Sequence, residues 1–191
     1  MLEDLIVSRV RVKILQLFFL SPGKIFHVRD IVRRTQEEIN AVRRELAHLE
    51  KAMLMAKEHR ANRLFYNLRK DYPLYYDLLE LVIKTAGLGA EIIKNRVKLG
   101  KIKYAMISGK YARGISRSDN SVDLLVVGKI VLPELSHIVR QEEAKREREL
   151  NYTVMTEEEF EFRKKRRDPF VIDILRGSRV MVIGDEEELV N

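Results

Sequence analysis

The stretch Thr35–Leu68, TQEEINAVRRELAHLEKAMLMAKEHRANRLFYNL, determines how the first third of this chain folds. Its first half carries apolar residues three and four positions apart, at Ile39, Val42, Leu46 and Leu49. This spacing places them on one face of a helix, which we predict to run from about Glu37 to Lys51. The opposite face of that helix then presents Asn40, Arg43, Arg44, Ala47 and His48.

The second half of the same stretch predicts a β-hairpin. Two short runs, Met53–Lys57 and Arg63–Leu68, alternate between apolar and polar residues as strands do. The polar sequence EHRAN lies between them, and we expect it to form a loop of several residues.

Two more helices are predicted upstream. Apolar residues recur at helical spacing within Asp4–Leu20, and the sequence SPG at Ser21–Gly23 ends that helix. A short second helix is predicted over Val28–Arg34. Thr35 and Gln36 end it and lead into the third helix.

Positive charge is concentrated in this part of the chain. The net charge is +7, and residues 1–72 hold 15 Lys and Arg against 9 Asp and Glu, whereas residues 73–191 hold 21 against 20. Because Lys and Arg release counterions that are condensed on nucleic acids, a basic segment fits a polyanion-binding surface. A solvated basic surface without a partner fits the charge equally well.

Three helices followed by a basic hairpin resemble the winged helix-turn-helix regulators of the ArsR-like type. The stretch Thr35–Leu68 carries the resemblance, with one departure: such proteins usually have glycine where Met53 stands. The resemblance implies a domain over residues 1–72 that regulates transcription, with double-stranded DNA as partner and the third helix in the major groove. The residues expected to contact DNA are Gln36, Asn40, Arg43, Arg44, His48, Lys57, Arg60 and Arg63.

Residues 73–88 are predicted to form a linking helix. Pro73 suits the first turn of a helix, leucines at helical spacing follow it, and Gly87 and Gly89 mark its end. In winged-helix regulators an additional helix often forms the dimer interface, which implies a homodimer. A connecting helix that packs on its own domain is the alternative.

Residues 89–191 alternate between helical and strand patterns. The predicted strands are Lys103–Ser108, Ser121–Gly128, Leu150–Met155 and Arg179–Gly184. The predicted helices are Ala90–Leu99, Pro133–Arg148, Thr156–Arg167 and a short one within Asp168–Gly177. This order predicts an α/β domain with a mixed sheet, and an α+β fold class for the whole chain.

The segment Ile107–Gly128, ISGKYARGISRSDNSVDLLVVG, is similar to the signature of minimal nucleotidyltransferase domains. In that family hydrophobic-Gly-Ser-x-Ala-Arg-Gly precedes Ser-Asp-x-Asp-Leu-Leu-Val. Gly109, Ala112, Arg113, Gly114 and the run DLLV from Asp123 match it, whereas Lys110 replaces the serine. The resemblance implies a nucleotidyltransferase-like fold over residues 89–191, with a vestigial nucleotide pocket at Gly109, Lys110, Arg113, Ser121 and Asp123.

The chemistry of that family requires carboxylates that this sequence lacks. Two carboxylates two residues apart on a strand point to the same side and hold the metal ion that neutralises the triphosphate. Ser121 occupies the first position and only Asp123 remains, while Asn151 stands where a third carboxylate is expected. Asp119 is two residues out of register. Since hydroxyl and amide groups are neutral ligands that Mg²⁺ does not prefer, we predict an inactive domain, not an enzyme, with no catalytic residue, metal or cofactor.

Three alternatives stay open. In the first, the chain is a metal-dependent enzyme that transfers a nucleotide to protein, RNA or a small molecule. In the second, the domain still binds a nucleotide but catalyses no reaction, and Lys110 attracts the phosphate. In the third, the chain is a protein-interaction module.

Several classes are excluded by composition. The chain has no cysteine, so it has neither disulfides nor thiolate metal sites. The N-terminus lacks the basic start and apolar run of a signal peptide, and the apolar runs are too short to span a bilayer. We therefore expect a cytoplasmic protein with no membrane partner.

Overall fold

The computed structural model describes residue 2 and residues 6–115, 121–146 and 148–191. The chain divides into two units, Met1–Thr85 and Ala86–Asn191. Both combine helices with a β-sheet, and the predicted α+β fold class with a mixed sheet is confirmed.

Within residues 6–85, the first unit has three helices ahead of a hairpin and one helix after it. Its elements are α1 (Arg9–Phe19), β1 (Phe26–His27), α2 (Val28–Thr35), α3 (Ile39–Lys51), β2 (Met55–Arg60), β3 (Arg63–Leu68) and α4 (Tyr75–Thr85).

Side-chain caps fix where the helices of this unit begin. The Ser8 hydroxyl accepts a hydrogen bond from the backbone N–H of Arg11 at 3.2 Å, so α1 begins after Ser8. The predicted start of this helix at Asp4 lies outside the described residues. The Glu38 carboxylate accepts from the backbone N–H of Ala41 at 2.9 Å, and α3 therefore begins two residues later than predicted.

The three-stranded sheet has the order β1-β3-β2 and is antiparallel throughout. The predicted loop of several residues between the hairpin strands is wrong. Strand β2 continues to Arg60, which pairs with Arg63, and only Ala61 and Asn62 form the turn. Ala61 adopts a φ of 49°, a left-handed conformation that lets the chain reverse within two residues. The polar residues that looked like a loop are an exposed strand.

Helix α4 belongs to the first unit. Tyr75 is buried, and its ring centroid lies 5.4 Å from that of Phe19 in α1. The buried side of α4 continues through Leu79, Val82 and Ile83. The boundary between the units therefore lies after Thr85, within the predicted linker 73–88, and not after Tyr72.

The second unit has a four-stranded mixed sheet. Its elements are α5 (Gly87–Lys94), β4 (Gly100–Ser108), α6 (Gly109–Ala112), β5 (Leu124–Ile130), α7 (Leu132–Arg146), β6 (Tyr152–Met155), α8 (Glu157–Lys165), α9 (Pro169–Arg176), β7 (Arg179–Ile183) and α10 (Glu186–Val190). The sheet order is β6-β5-β4-β7, with β5 and β6 parallel and the other neighbours antiparallel. All four predicted strands are present, whereas the short helices α6 and α10 were not predicted.

One layer of the core of this unit lies between the sheet and α8 to α10. Tyr104, Met106 and Leu125 from the central strands pack with Phe160 of α8 and Val171 of α9. Packing of these helices brings the end of α9 and the loop that follows it to the end of β4, where the segment Ile107–Gly128 begins.

Candidate functional site

The turn between α2 and α3 is set by a left-handed residue. Gln36 adopts a φ of 55°, and its N–H donates to the carbonyl of Val32 at 2.9 Å. Just before it, the buried Thr35 donates its hydroxyl to the carbonyl of Ile31 at 2.7 Å. The Gln36 side chain, which was predicted to contact DNA, is exposed at this turn.

Helix α3 has one sealed face and one open face, as the spacing of its residues predicts. Val42, Leu46 and Leu49 are buried, and Ile39 is partly buried. The polar side chains opposite them are exposed, namely Asn40, Arg43, Arg44 and His48. Within the described part of the chain, neither Arg43 nor Arg44 has a carboxylate within 4.0 Å. Both charges therefore face solvent without an ion-pair partner. Backbone hydrogen bonds from Asn40 and Ala41, and then the charges of Arg44 and Arg43, lower the pKa of Glu38 at the start of α3, so the two arginines act on this carboxylate at longer range.

Glu45 attaches α3 to the start of α1. Its Oε1 accepts from the Ser8 hydroxyl at 2.7 Å, and its Oε2 accepts from the Arg11 guanidinium at 2.8 Å. Burial raises the pKa of Glu45, but the hydrogen bonds from Ser8 and Arg11 outweigh burial and hold the pKa below its ordinary value. Sequence reasoning missed this carboxylate. The available signal was its position beside the apolar stripe, next to Leu46.

Glu37 makes a second attachment between the same elements. It accepts from Lys13 at 2.6 Å, and the Arg9 guanidinium lies 2.9 Å from it. Lys13 also donates to the carbonyl of Thr35 at 2.9 Å. The hydrogen bonds from Lys13 and then Arg9 lower the pKa of Glu37. These contacts hold the start of α3 and its preceding turn against α1.

The hairpin cations predicted to contact DNA have different surroundings. The Lys57 ammonium lies 2.7 Å from the Glu50 carboxylate of α3, and the hydrogen bond that Lys57 donates to Glu50 raises the pKa of Lys57. Arg60 binds Glu58 through two nitrogens at 2.9 and 3.1 Å, and that hydrogen bonding lowers the pKa of Glu58. Arg63 is exposed and has no such partner among the described residues. The positive potential of the hairpin is therefore partly neutralised, unlike that of α3.

The second unit contains a cavity of about 850 Å³ beside the motif Ile107–Gly128. One wall is formed by residues of that motif, including Ser108, Lys110, Arg113 and Ser121. Asn151 and Thr153 of the neighbouring β6 segment line it as well. The facing wall comes from α9 and the loop after it, with Phe170, Asp173, Arg176 and Ser178.

Gly109 is the residue that lets these two walls meet. Its N–H donates to the carbonyl of Ser178 at 2.6 Å. A Cβ at this position would clash with the Ser178 side chain and lie 2.9 Å from its carbonyl oxygen. Arg113, directly after α6, donates from its guanidinium to the Ser178 hydroxyl at 3.0 Å. The glycine of the motif is thus required by the close approach of another backbone segment.

Ser121, Asp123 and Asn151, the three positions at which carboxylates were expected, lie close together. The Asn151 side-chain amide donates to the carbonyl of Ser121 at 2.9 Å, and its backbone N–H donates to Asp123 Oδ2 at 3.1 Å. Ser121 and Asn151 line the cavity, whereas Asp123 is only 2% exposed. The predicted strand start at Ser121 is wrong, because β5 begins at Leu124. Asp119 lies outside the described residues.

No three His, Asp or Glu side chains among the described residues cluster closely enough to hold a metal ion. None of the helices in the described ranges combines the length and apolarity needed to cross a bilayer. Comparison of the chain with protein families, with curated proteins and with solved structures found no match.

Proposed function

We propose that this protein is a DNA-binding transcription regulator and that its first unit is a winged helix-turn-helix domain. The order α1-β1-α2-α3-β2-β3, with the sheet order β1-β3-β2, supports that assignment. The turn at Gln36 joins α2 to α3, and the hairpin after α3 takes the place of the wing.

The observation that carries the proposal is the open face of α3. Arg43 and Arg44 are exposed there without an ion-pair partner in the described part of the chain, and Asn40 lies one turn before Arg44. Arginine binds guanine and asparagine binds adenine through paired hydrogen bonds, each worth roughly 1–3 kcal/mol of discrimination between bases. Because the other face of α3 is sealed by the core, this face is the one that enters the major groove.

The hairpin has a secondary role in this proposal. Arg63 contacts a phosphate directly, whereas Lys57 and Arg60 must exchange Glu50 and Glu58 for phosphate oxygens. Gln36 and His48 lie at the two ends of the α3 surface and contact the backbone or bases there. A single such domain covers few base pairs, so the protein binds as a homodimer on a two-fold-related site. Its place of action is the cytoplasm, where its DNA partner is located.

We further propose that the second unit is a nucleotidyltransferase-like domain without catalysis. The succession β4-α6-β5-α7-β6 and the cavity at its motif support the resemblance. Ser121 and Asn151 supply neutral groups where the family chemistry needs carboxylates, and Asp123 accepts a hydrogen bond from the backbone of Asn151. Incubation with labelled ATP and Mg²⁺ tests this point: labelled product that is lost in Asp123→Ala would overturn it.

The DNA proposal is tested by fluorescence titration of genomic duplex fragments. We expect the double variant Arg43→Ala, Arg44→Ala to lose detectable binding, because it removes the unpaired cations of α3. The matched control is Lys24→Ala, Lys70→Ala, which removes the same charge from exposed positions outside α3 and the hairpin. If the control loses as much affinity as the α3 variant, or if the wild type binds no fragment, the proposal is wrong.

A further inference from the structure

Three exposed cations follow one another where α8 ends, namely Lys165, Arg166 and Arg167. Within the described part of the chain, no carboxylate oxygen lies within 4.0 Å of their side-chain nitrogens. Three neighbouring positive charges of the second unit therefore face solvent without an ion-pair partner.

The two cations that precede them are used within the protein. The Arg163 guanidinium lies 2.8 Å from the Glu159 carboxylate, and the Lys164 ammonium donates to the carbonyl of Leu189 at 3.0 Å. Positive charge in the last turn of a helix also offsets the partial negative charge of its unpaired carbonyls. Because Arg163 and Lys164 already supply that charge, the stability of α8 does not require three more cations.

Backbone hydrogen bonds fix the turn in which the three cations lie. Arg167 adopts a φ of 54°, and the N–H groups of Arg167 and Asp168 donate to the carbonyls of Lys164 and Arg163, each at 3.0 Å. This is the pattern of a Schellman helix end. The Asp168 carboxylate accepts from the N–H of Phe170 at 3.1 Å and so begins α9. The turn therefore holds the cations on a defined backbone, and the nearest carboxylate in the sequence serves as a helix cap.

Phe162 places an aromatic ring beside these cations. The Arg166 guanidinium lies over this ring, 4.7 Å from its centroid, yet Phe162 is 57% exposed. It is the one exposed apolar side chain within Glu157–Lys165, because Phe160 is buried. Neither Phe162 nor the three cations line the cavity beside Ile107–Gly128. The end of α8 is therefore a separate surface that combines an accessible ring with unpaired positive charge.

This combination fits single-stranded nucleic acid better than a lipid surface. Proteins hold single strands with cations that follow the phosphates and with aromatic rings on which unpaired bases stack. A helix that lies on an anionic membrane needs a broad apolar face, whereas α8 has one exposed ring and begins with three glutamates. Bases within a duplex stack on one another, so a duplex does not offer the ring a base face.

We propose that Phe162, Lys165, Arg166 and Arg167 bind single-stranded nucleic acid, with the ring stacked on an unpaired base and the cations on the flanking phosphates. The contact tolerates any base sequence, because every base has a face on which a ring can stack. The proposal does not rest on duplex binding by α3, which belongs to the other unit.

The test is fluorescence anisotropy titration of the full chain with labelled oligodeoxythymidine and oligouridine of equal length. We expect saturable binding, and the tighter of the two oligonucleotides identifies the sugar. The triple variant Lys165→Ala, Arg166→Ala, Arg167→Ala should weaken binding about tenfold or more. It should also make the salt slope less steep by about two, because each phosphate contact on a single strand contributes about 0.7.

The matched control is the triple variant Lys94→Ala, Arg96→Ala, Lys98→Ala. It removes three exposed cations from the same unit, away from α8, and should keep wild-type affinity. The variant Arg43→Ala, Arg44→Ala should also bind both oligonucleotides as the wild type does. Failure of the duplex proposal and failure of this one are therefore distinguishable.

Two further measurements separate stacking from charge. Phe162→Ala should weaken binding about fivefold or more, whereas Phe162→Tyr, which keeps the ring, should not. An abasic strand of the same length should bind the wild type at least about fivefold more weakly than oligodeoxythymidine, a comparison that needs no variant to fold.

Four results would each overturn the proposal: no saturable binding of either oligonucleotide, unchanged affinity in the α8 triple variant, an equal loss in the control variant, or equal affinity for the abasic strand. Binding to phosphatidylglycerol vesicles without binding to either oligonucleotide would assign the surface to a membrane instead.

Discussion

Met53 has a backbone conformation for which glycine is usually selected. Its φ is 64°, and the N–H groups of Met53 and Leu54 donate to the carbonyls of Glu50 and Leu49, which is the hydrogen-bonding pattern of a Schellman end to α3. Methionine therefore stands here in place of the usual glycine, and the turn keeps the same backbone geometry.

Replacing Met53 by glycine should stabilise the first unit. Met53 is 57% exposed, so little packing is lost, and relief of the left-handed strain contributes about 1 kcal/mol. Urea unfolding measures the gain. The matched control is Ala52→Gly, next to it at a φ of −74°, where glycine should destabilise. A lower unfolding free energy for Met53→Gly would contradict this reading of the turn.

Among the helices and strands, the features best predicted from the sequence are those that follow from the spacing of apolar residues. The sealed and open faces of α3 follow from the 3–4 spacing of its apolar residues, and the four strands of the second unit follow from their apolar runs. The turn at Ala61 could not be predicted, because the exposed residues Glu58, His59 and Arg60 carry no strand signal of their own.

The sequence could identify only one of the two walls of the candidate cavity. The motif identifies Gly109, Lys110 and Arg113 as neighbours of the site, because they are close in sequence. Arg176 and Ser178 are more than sixty residues away, and only the packing of α9 on the sheet brings them there. Likewise, nothing in the sequence distinguishes Glu45 from its polar neighbours, because Ser8 and Arg11 come to lie beside it only in the folded structure.

The contact between α1 and α3 should depend on the charge of Glu45. Its pKa is lowered in the folded protein, so it stabilises the fold at neutral pH, and this contribution is lost as pH falls below the ordinary value of 4.5. Glu45→Gln should lower the unfolding free energy by about 1–2 kcal/mol at pH 7. The difference from wild type should shrink at pH 3. Urea unfolding at both values measures it.

The control for this prediction is Glu80→Gln. Glu80 pairs with Lys84 four residues later on the surface of α4, at 2.6 Å, and such exposed pairs contribute little to stability. We expect no measurable change at either pH. A difference between wild type and Glu45→Gln that persists unchanged at pH 3 would show that the carboxylate charge is not what holds α3 in place.

At the scale of the whole molecule, the two units carry different charge. The excess of Lys and Arg over Asp and Glu lies almost entirely in residues 1–72, which belong to the first unit. Arg43 and Arg44 of α3 are among the cations there that have no ion-pair partner within the described residues. We propose that Arg43 and Arg44 of this unit meet the phosphates and bases of DNA.

The most direct measurement of that claim is the salt dependence of duplex binding. For the wild type, the logarithm of the association constant should fall linearly with the logarithm of salt concentration. For Arg43→Ala and Arg44→Ala measured singly, the slope should become less steep by about one for each arginine that contacts a phosphate. Binding that does not respond to salt, or slopes that are identical in wild type and both variants alongside unchanged affinity, would contradict the account.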